Sequence, residues 1–143
     1  MNVLQVGILI FVSIEFLNIA TLYFMPSSRI GNGVGVFNAL EKSNEDEELK
    51  PFVNYLINWV AGTKLIFIMV GIVIIIFGNE KTQLYTVIAF IISILSFYWR
   101  LFPTIKKLDK KGQITPKGYS KTLNIMIISF ITMFVVVLLI YFI

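Results

Sequence analysis

The chain has 143 residues, of which 57% are hydrophobic, and it carries a formal net charge of +4. This length favours a single domain, and the apolar fraction is higher than a soluble domain of this size normally has. The sequence contains no cysteine and no histidine, which excludes disulfides, thiol nucleophiles, haem ligation through either residue, and the usual zinc and copper sites.

Four apolar runs, at residues 3–25, 51–77, 82–102 and 120–143, organise the chain. Each is long enough for a helix that crosses a hydrocarbon core about 30 Å thick, which takes about 20 residues. Backbone groups in lipid must be satisfied within their own segment, so helices are the expected structure. The predicted fold is all-α, a polytopic integral membrane four-helix bundle that forms one membrane domain over residues 1–143.

The basic residues indicate how this bundle is oriented. They concentrate in and beside the two long connections, 26–50 and 103–119, whereas the short turn before residue 82 contains only Lys81, next to Glu80. The positive-inside rule predicts that both long connections are cytoplasmic and that both termini lie on the non-cytoplasmic side. The first run has no basic n-region and no cleavage site, so we interpret it as a retained helix.

Two ionisable residues lie near the midpoints of the first two runs, namely Glu15 and Lys64. A lysine at the centre of a spanning helix costs about 2.5–3.5 kcal/mol on insertion scales, so it needs a partner. The two helices cross in opposite directions, which brings their midpoints to similar depth and predicts an ion pair. Asn18, one turn from Glu15, is expected to bond Glu15 or a neighbouring helix. The pair is either a static ion pair that fixes the register of the two helices or a site that responds to protons or substrate.

Small and polar residues share one side of the third run, at Thr86, Ala89, Ser93, Ser96 and Arg100. Such a stripe is typical of close helix packing in lipid. The alternative is that it lines a polar cavity, in which case Ser93 and Ser96 join Glu15, Asn18 and Lys64 in one polar centre.

A basic cluster follows the third run, at Arg100, Lys106, Lys107, Lys110 and Lys111. Lysines beside a spanning helix attract anionic headgroups, so we expect contact with anionic lipids or with a partner. The alternative is that these residues only set the orientation of the protein in the membrane. Nucleic acid is not an expected partner, because no recognition fold accompanies the charges. The acidic run 45–48 is expected either to contact this cluster or to remain solvated.

The sequence Asn38-Ala39-Leu40-Glu41, before Pro51-Phe52, resembles a motif of the MAPEG family of trimeric, glutathione- and eicosanoid-metabolising membrane enzymes. The resemblance implies a trimer with a thiol-cofactor pocket at the cytoplasmic end, near Arg29, Asn38 and Arg100. It covers this motif and the helix count, while residues 34–37 replace the arginine that the family carries before its Asn. We do not assign the chain to that family.

Three functions are compatible with these observations. The leading hypothesis is a small multi-pass membrane protein of the transport or channel class, or a subunit of a membrane complex, with the Glu15–Lys64 pair at its centre. The alternatives are a non-catalytic membrane scaffold and a MAPEG-like enzyme acting on a lipophilic substrate. The absence of histidine, cysteine and any catalytic motif argues against an enzyme, and we expect no metal and no cofactor. The expected partners are the bilayer, further copies of the chain or other membrane subunits.

Overall fold

The computed structural model describes residues 1–30 and 33–143. Its helices are α1 (Val3–Phe24), α2 (Asn38–Asn44), α3 (Leu49–Phe77), α4 (Glu80–Leu95), α5 (Phe97–Lys110) and α6 (Tyr119–Phe142), with a 3-10 turn at Val34–Val36. Four helical segments in these ranges are long and apolar enough to cross a membrane: α1, α3, α6, and α4 continued by α5. The described residues therefore form an all-helical structure, with four helical segments that have the length and hydropathy of membrane spans.

Helix α1 is the centre of the bundle. It packs against α3, α4 and α6, and α4 also packs against α6, whereas α3 and α4 have few contacts with each other. The buried face of α1 includes Leu4, Ile8 and Val12. Gly71 of α3 allows a close approach to this face, because a Cβ atom there would lie 2.7 Å from Val12 Cγ2.

Side-chain amides fasten the end of the bundle that carries the termini and the Gly78–Asn79 turn, here called the hairpin end. Gln5 Nε2 donates to the Ile75 carbonyl at 2.9 Å, and Asn2 Nδ2 donates to Gln83 Oε1 at 2.8 Å. Asn2 also caps α1 by accepting from the Gln5 amide at 2.8 Å. These bonds link α1 to α3 and to α4 at one end.

The opposite end carries the two long connections and is called the loop end. Its connections meet at an antiparallel bridge between Phe37 and Ile114. Backbone hydrogen bonds run from the Asn38 amide to the Gln113 carbonyl at 3.1 Å and from the Thr115 amide to the Val36 carbonyl at 2.8 Å. Residues 36–38 thus join the first connection to residues 113–115 of the second.

The third of these candidate membrane spans is longer than the sequence predicts. The prediction ends it at residue 102, but after a break at Ser96 the chain continues helically through Pro103 to Lys110. A proline removes one helical hydrogen bond and normally ends or kinks a helix. Here α5 is held by packing, because its residues Phe97, Ile105 and Leu108 contact a buried cluster formed by Val36, Ile114, Tyr119 and Leu123.

We expect Gly71→Ala to destabilise the bundle by about 1–3 kcal/mol, because the added methyl overpacks the α1–α3 contact. Thermal unfolding of the purified protein in detergent measures this. Gly62→Ala on the same helix is the matched control, since its nearest neighbour would be the Tyr23 hydroxyl at an ordinary 3.5 Å. The double variant Gly71→Ala with Val12→Ala is expected to regain stability, and an equal loss in all three variants would contradict the packing argument.

Candidate functional site

Glu15 and Lys64 form an ion pair between α1 and α3. The Lys64 Nζ atom lies 2.6 Å from Glu15 Oε2, and the side chains of Lys64 and Glu15 are 27% and 16% exposed, respectively. Helical rise places Glu15 about 18 Å and Lys64 about 20 Å from the hairpin end of their helices. The charges therefore meet at the same depth, near the middle of both helices.

The local sequence explains why these side chains point inward. Ile57, Ile68 and Gly71 of α3 are buried and lie on the same helix face as Lys64, at helical spacing. Glu15 follows the buried Ile8 and Val12 on α1. Asn18, three residues further on, donates from Nδ2 to Glu15 Oε1 at 3.1 Å. Both carboxylate oxygens of Glu15 thus have a partner.

A cavity of about 330 Å³ opens beside the ion pair, and we call it the α3–α4 cleft. It is lined by Phe11, Val12 and Glu15 of α1, by Lys64, Phe67 and Ile68 of α3, and by Ala89, Phe90, Ser93 and Ile94 of α4. Since α3 and α4 contact each other little, α1 forms the floor of the cleft and the other two helices form its walls. Glu15 thus lies on the floor of the cleft and Lys64 on the α3 wall, beside a mostly apolar space.

The two serines of the predicted polar centre lie in different surroundings. Ser93 lines the α3–α4 cleft with Glu15 and Lys64. Ser96 is absent from that lining and lies at the break between α4 and α5, where its hydroxyl donates to the Ser93 carbonyl at 2.6 Å. The small-residue stripe is thus divided, with Ala89 and Ser93 at the cleft and Ser96 at the helix break.

The basic cluster lies at the loop end, mainly on a helix. Arg100, Lys106, Lys107 and Lys110 are exposed on α5, and Lys111 directly follows it. Lys106 Nζ lies 6.0 Å from the centroid of the Phe102 ring. The described residues form no ion pair between the acidic run 45–48 and this cluster; Asp46 instead caps α3 by accepting from the Glu48 and Leu49 amides at 2.9 and 3.0 Å.

Asp109 has a role that the sequence analysis did not identify. It is 6% exposed and accepts hydrogen bonds from the Gly118 amide at 2.9 Å, the Ser120 amide at 2.9 Å and the Ser120 hydroxyl at 2.6 Å. The carboxylate therefore satisfies donors at the start of α6 and favours its N-terminus electrostatically. A lone acid among lysines was the available signal, but the turn that brings residue 118 back to Asp109 is not evident from spacing.

The residues of the MAPEG-like motif have partners within the loop end. Asn38 donates from Nδ2 to the Gly112 carbonyl at 3.1 Å and accepts from the Thr115 hydroxyl at 2.8 Å. Glu41 pairs with Arg29 at 2.6 Å. Asn38 thus joins the first long connection to the second, whereas Glu41 is paired within the first.

Comparison with known proteins identifies no relative, since no protein-family model, curated protein or solved structure matches the chain. Within the described residues, no group of three or more acidic side chains is placed to hold a metal ion. The Glu15–Lys64 pair and its cleft are therefore the arrangement from which a function can be argued.

We expect Lys64→Met to destabilise the protein by about 3–5 kcal/mol, because it leaves the Glu15 charge without a partner in an apolar environment. The double variant Glu15→Met with Lys64→Met is expected to lose less, since no charge is then stranded. The exchanged pair, Glu15→Lys with Lys64→Glu, is expected to recover part of the loss. Thermal unfolding in detergent measures all of these, and additive losses in both double variants would exclude direct coupling.

We expect Asp109→Ala to destabilise the loop end by at least about 2 kcal/mol, because three donors at the start of α6 lose a charged acceptor. Hydrogen exchange of the backbone amides of residues 112–121 measures this locally. Asp46→Ala is the matched control, since Asp46 also caps a helix but is exposed, and we expect about 1 kcal/mol there. Equal losses of stability at the two positions would contradict the expectation that the buried Asp109 stabilises its helix more than the exposed Asp46 does.

Proposed function

We propose that this chain is a small multi-pass membrane protein of the transport class, in which the Glu15–Lys64 pair controls the α3–α4 cleft. The observation that carries the proposal is that both charged residues line a cavity. A purely structural ion pair is expected to be enclosed by packing, because any open space beside it leaves the charges incompletely surrounded. Here one side of the pair is left open.

The proposed mechanism follows from the cost of an isolated charge in hydrocarbon. While Glu15 and Lys64 are paired, each compensates the other and α3 is held against α1. When Glu15 is neutralised by protonation, the charge that remains on Lys64 is driven towards water or another partner. Helix α3 then moves away from α1 at this depth, and the cleft widens. The expected outcome is a polar path through the centre of the bundle.

The proposal includes an orientation and a lipid contact. Both long connections would lie in the cytoplasm, in accordance with the distribution of basic residues. The exposed cations of α5 would then meet the anionic inner leaflet, where each contributes about 1 kcal/mol of attraction. Association with further copies or with other membrane subunits belongs to the same proposal, because many large apolar side chains of α3 and α6 are exposed, although each outward face also carries polar residues.

Thiol labelling tests the central claim, and the absence of cysteine from the sequence makes each introduced thiol unique. Ser93→Cys reports on the cleft, and Ser129→Cys, at an exposed mid-helix position of α6, is the matched control. We expect a water-soluble, membrane-impermeant thiol reagent to modify Ser93→Cys at least 10-fold faster when Glu15→Gln is also present. Neutralising the acid should open the cleft to water, whereas labelling at position 129 should stay unchanged.

The alternatives lead to different results in the same experiment. A scaffold with a fixed ion pair predicts that Ser93→Cys is equally unreactive whether or not Glu15→Gln is present, and this outcome would reject the transport proposal. Faster labelling at both positions would indicate general loosening of the bundle and would also reject it. Proteoliposomes with the protein inserted in one orientation allow the reagent to be applied from either side.

A further inference from the structure

We infer that the α3–α4 cleft binds a neutral lipophile whose head carries carbonyl oxygens, and that Lys64 donates to one of them. The inference rests on the proposed function and names the class of ligand that this site would take. It depends on three properties of the cleft: which hydrogen-bonding groups are already satisfied, what charge the site carries, and which surfaces line the space.

Some hydrogen-bond donors in the cleft have no acceptor among the described residues and remain available to a ligand. Glu15 uses one oxygen for Lys64 and the other for Asn18. The Lys64 ammonium has three N–H groups, and the described residues supply it with a single partner, Glu15. The Ser93 hydroxyl also has no hydrogen-bond partner among the residues that the structure describes. A ligand that complements this site therefore brings acceptors, and hydrocarbon tails cannot supply them.

The charge of the site favours a neutral ligand. Glu15 and Lys64 together carry no net charge, so a neutral head leaves the pair balanced. A carboxylate or an amine would add one uncompensated charge in an apolar environment, which costs several kcal/mol. A carbonyl oxygen accepts from an ammonium without this cost. The geometry thus selects a polar but uncharged head.

The remaining walls of the cleft select an apolar body. Phe11 and Phe90 meet there with their ring centroids 4.9 Å apart and their planes inclined by 41°, and Phe67 is 65% exposed at the edge. A volume of about 330 Å³ lies within the range of small-ligand pockets and suits a ring or a short acyl segment. Since α3 and α4 contact each other little, a tail can leave between them into the bilayer. Quinones and acylglycerols both offer this chemistry.

A competition experiment on the full chain in nanodiscs tests the inference. The probe is a tritiated, fully substituted benzoquinone with a decyl tail, competed by unlabelled dioctanoylglycerol, decanoate and decane. We expect saturable binding of the quinone, at least 10-fold weaker in the double variant Glu15→Met with Lys64→Met. Lys64→Arg, which keeps the charge and the donors, is expected to retain binding, and Ser96→Ala outside the cleft, at the end of α4, is the matched control.

Each outcome has a definite meaning. If dioctanoylglycerol competes with the quinone, the cleft binds carbonyl-bearing heads as a class, and acylglycerols are among its ligands. If the quinone binds but dioctanoylglycerol does not compete, the ligand is a quinone. Stronger competition by decanoate would overturn the neutral head, and equal competition by decane would overturn the role of Lys64. Unchanged binding in the double variant, or no binding of either carbonyl probe, would also overturn the inference.

The result is separable from that of the labelling experiment. If the thiol introduced by Ser93→Cys responds to Glu15→Gln but no carbonyl probe binds, the cleft opens as proposed and the ligand class is wrong. If the probes bind through Lys64 but the thiol does not respond, the ligand class is right and the control of the cleft by the pair is wrong.

Discussion

The fold depends on two opposite charges that are half-buried at the same depth between α1 and α3. In a medium of low dielectric, neither charge can be left alone without a cost of several kcal/mol. The 2.6 Å contact between Lys64 and Glu15 therefore fixes how far one helix can slide past the other. The close approach of Gly71 to Val12 and the bond from Asn18 to Glu15 are consistent with that alignment. Apolar packing alone would allow several registers of two such uniformly hydrophobic helices.

The same pair lies beside the place where the interior is incomplete. Helix α3 is drawn to α1, and α4 is drawn to α1 and α6, so the two walls of the cleft have little contact with one another. The aromatic rings of Phe11, Phe90 and Phe134 fill the space next to it. The remaining gap lies at Lys64, where a long flexible side chain ends.

Much of this arrangement could be predicted from the sequence because bilayer physics restricts it strongly. Four runs of sufficient length imply four helices, and two mid-run charges on antiparallel helices imply a contact. The course of the third helix was harder to predict, because the proline at position 103 is a valid stop signal that packing of Ile105 and Leu108 overrides. Ser93 and Ser96 share a stripe in an ideal helix, yet the backbone break at Ser96 separates their surroundings. The role of Asp109 depends on a turn whose path no local pattern specifies.

The inward orientation of Asp109 has an electrical consequence for the loop end. With that carboxylate enclosed at the start of α6, the exposed ionisable groups of α5 are all cations, whereas residues 45–48, before α3, are all acids and all exposed. One flank of this end is therefore positive and another is negative, although the chain as a whole is only modestly basic. The two segments therefore differ in the sign of their charge, and an approaching molecule would experience a potential whose sign depends on which segment it approaches.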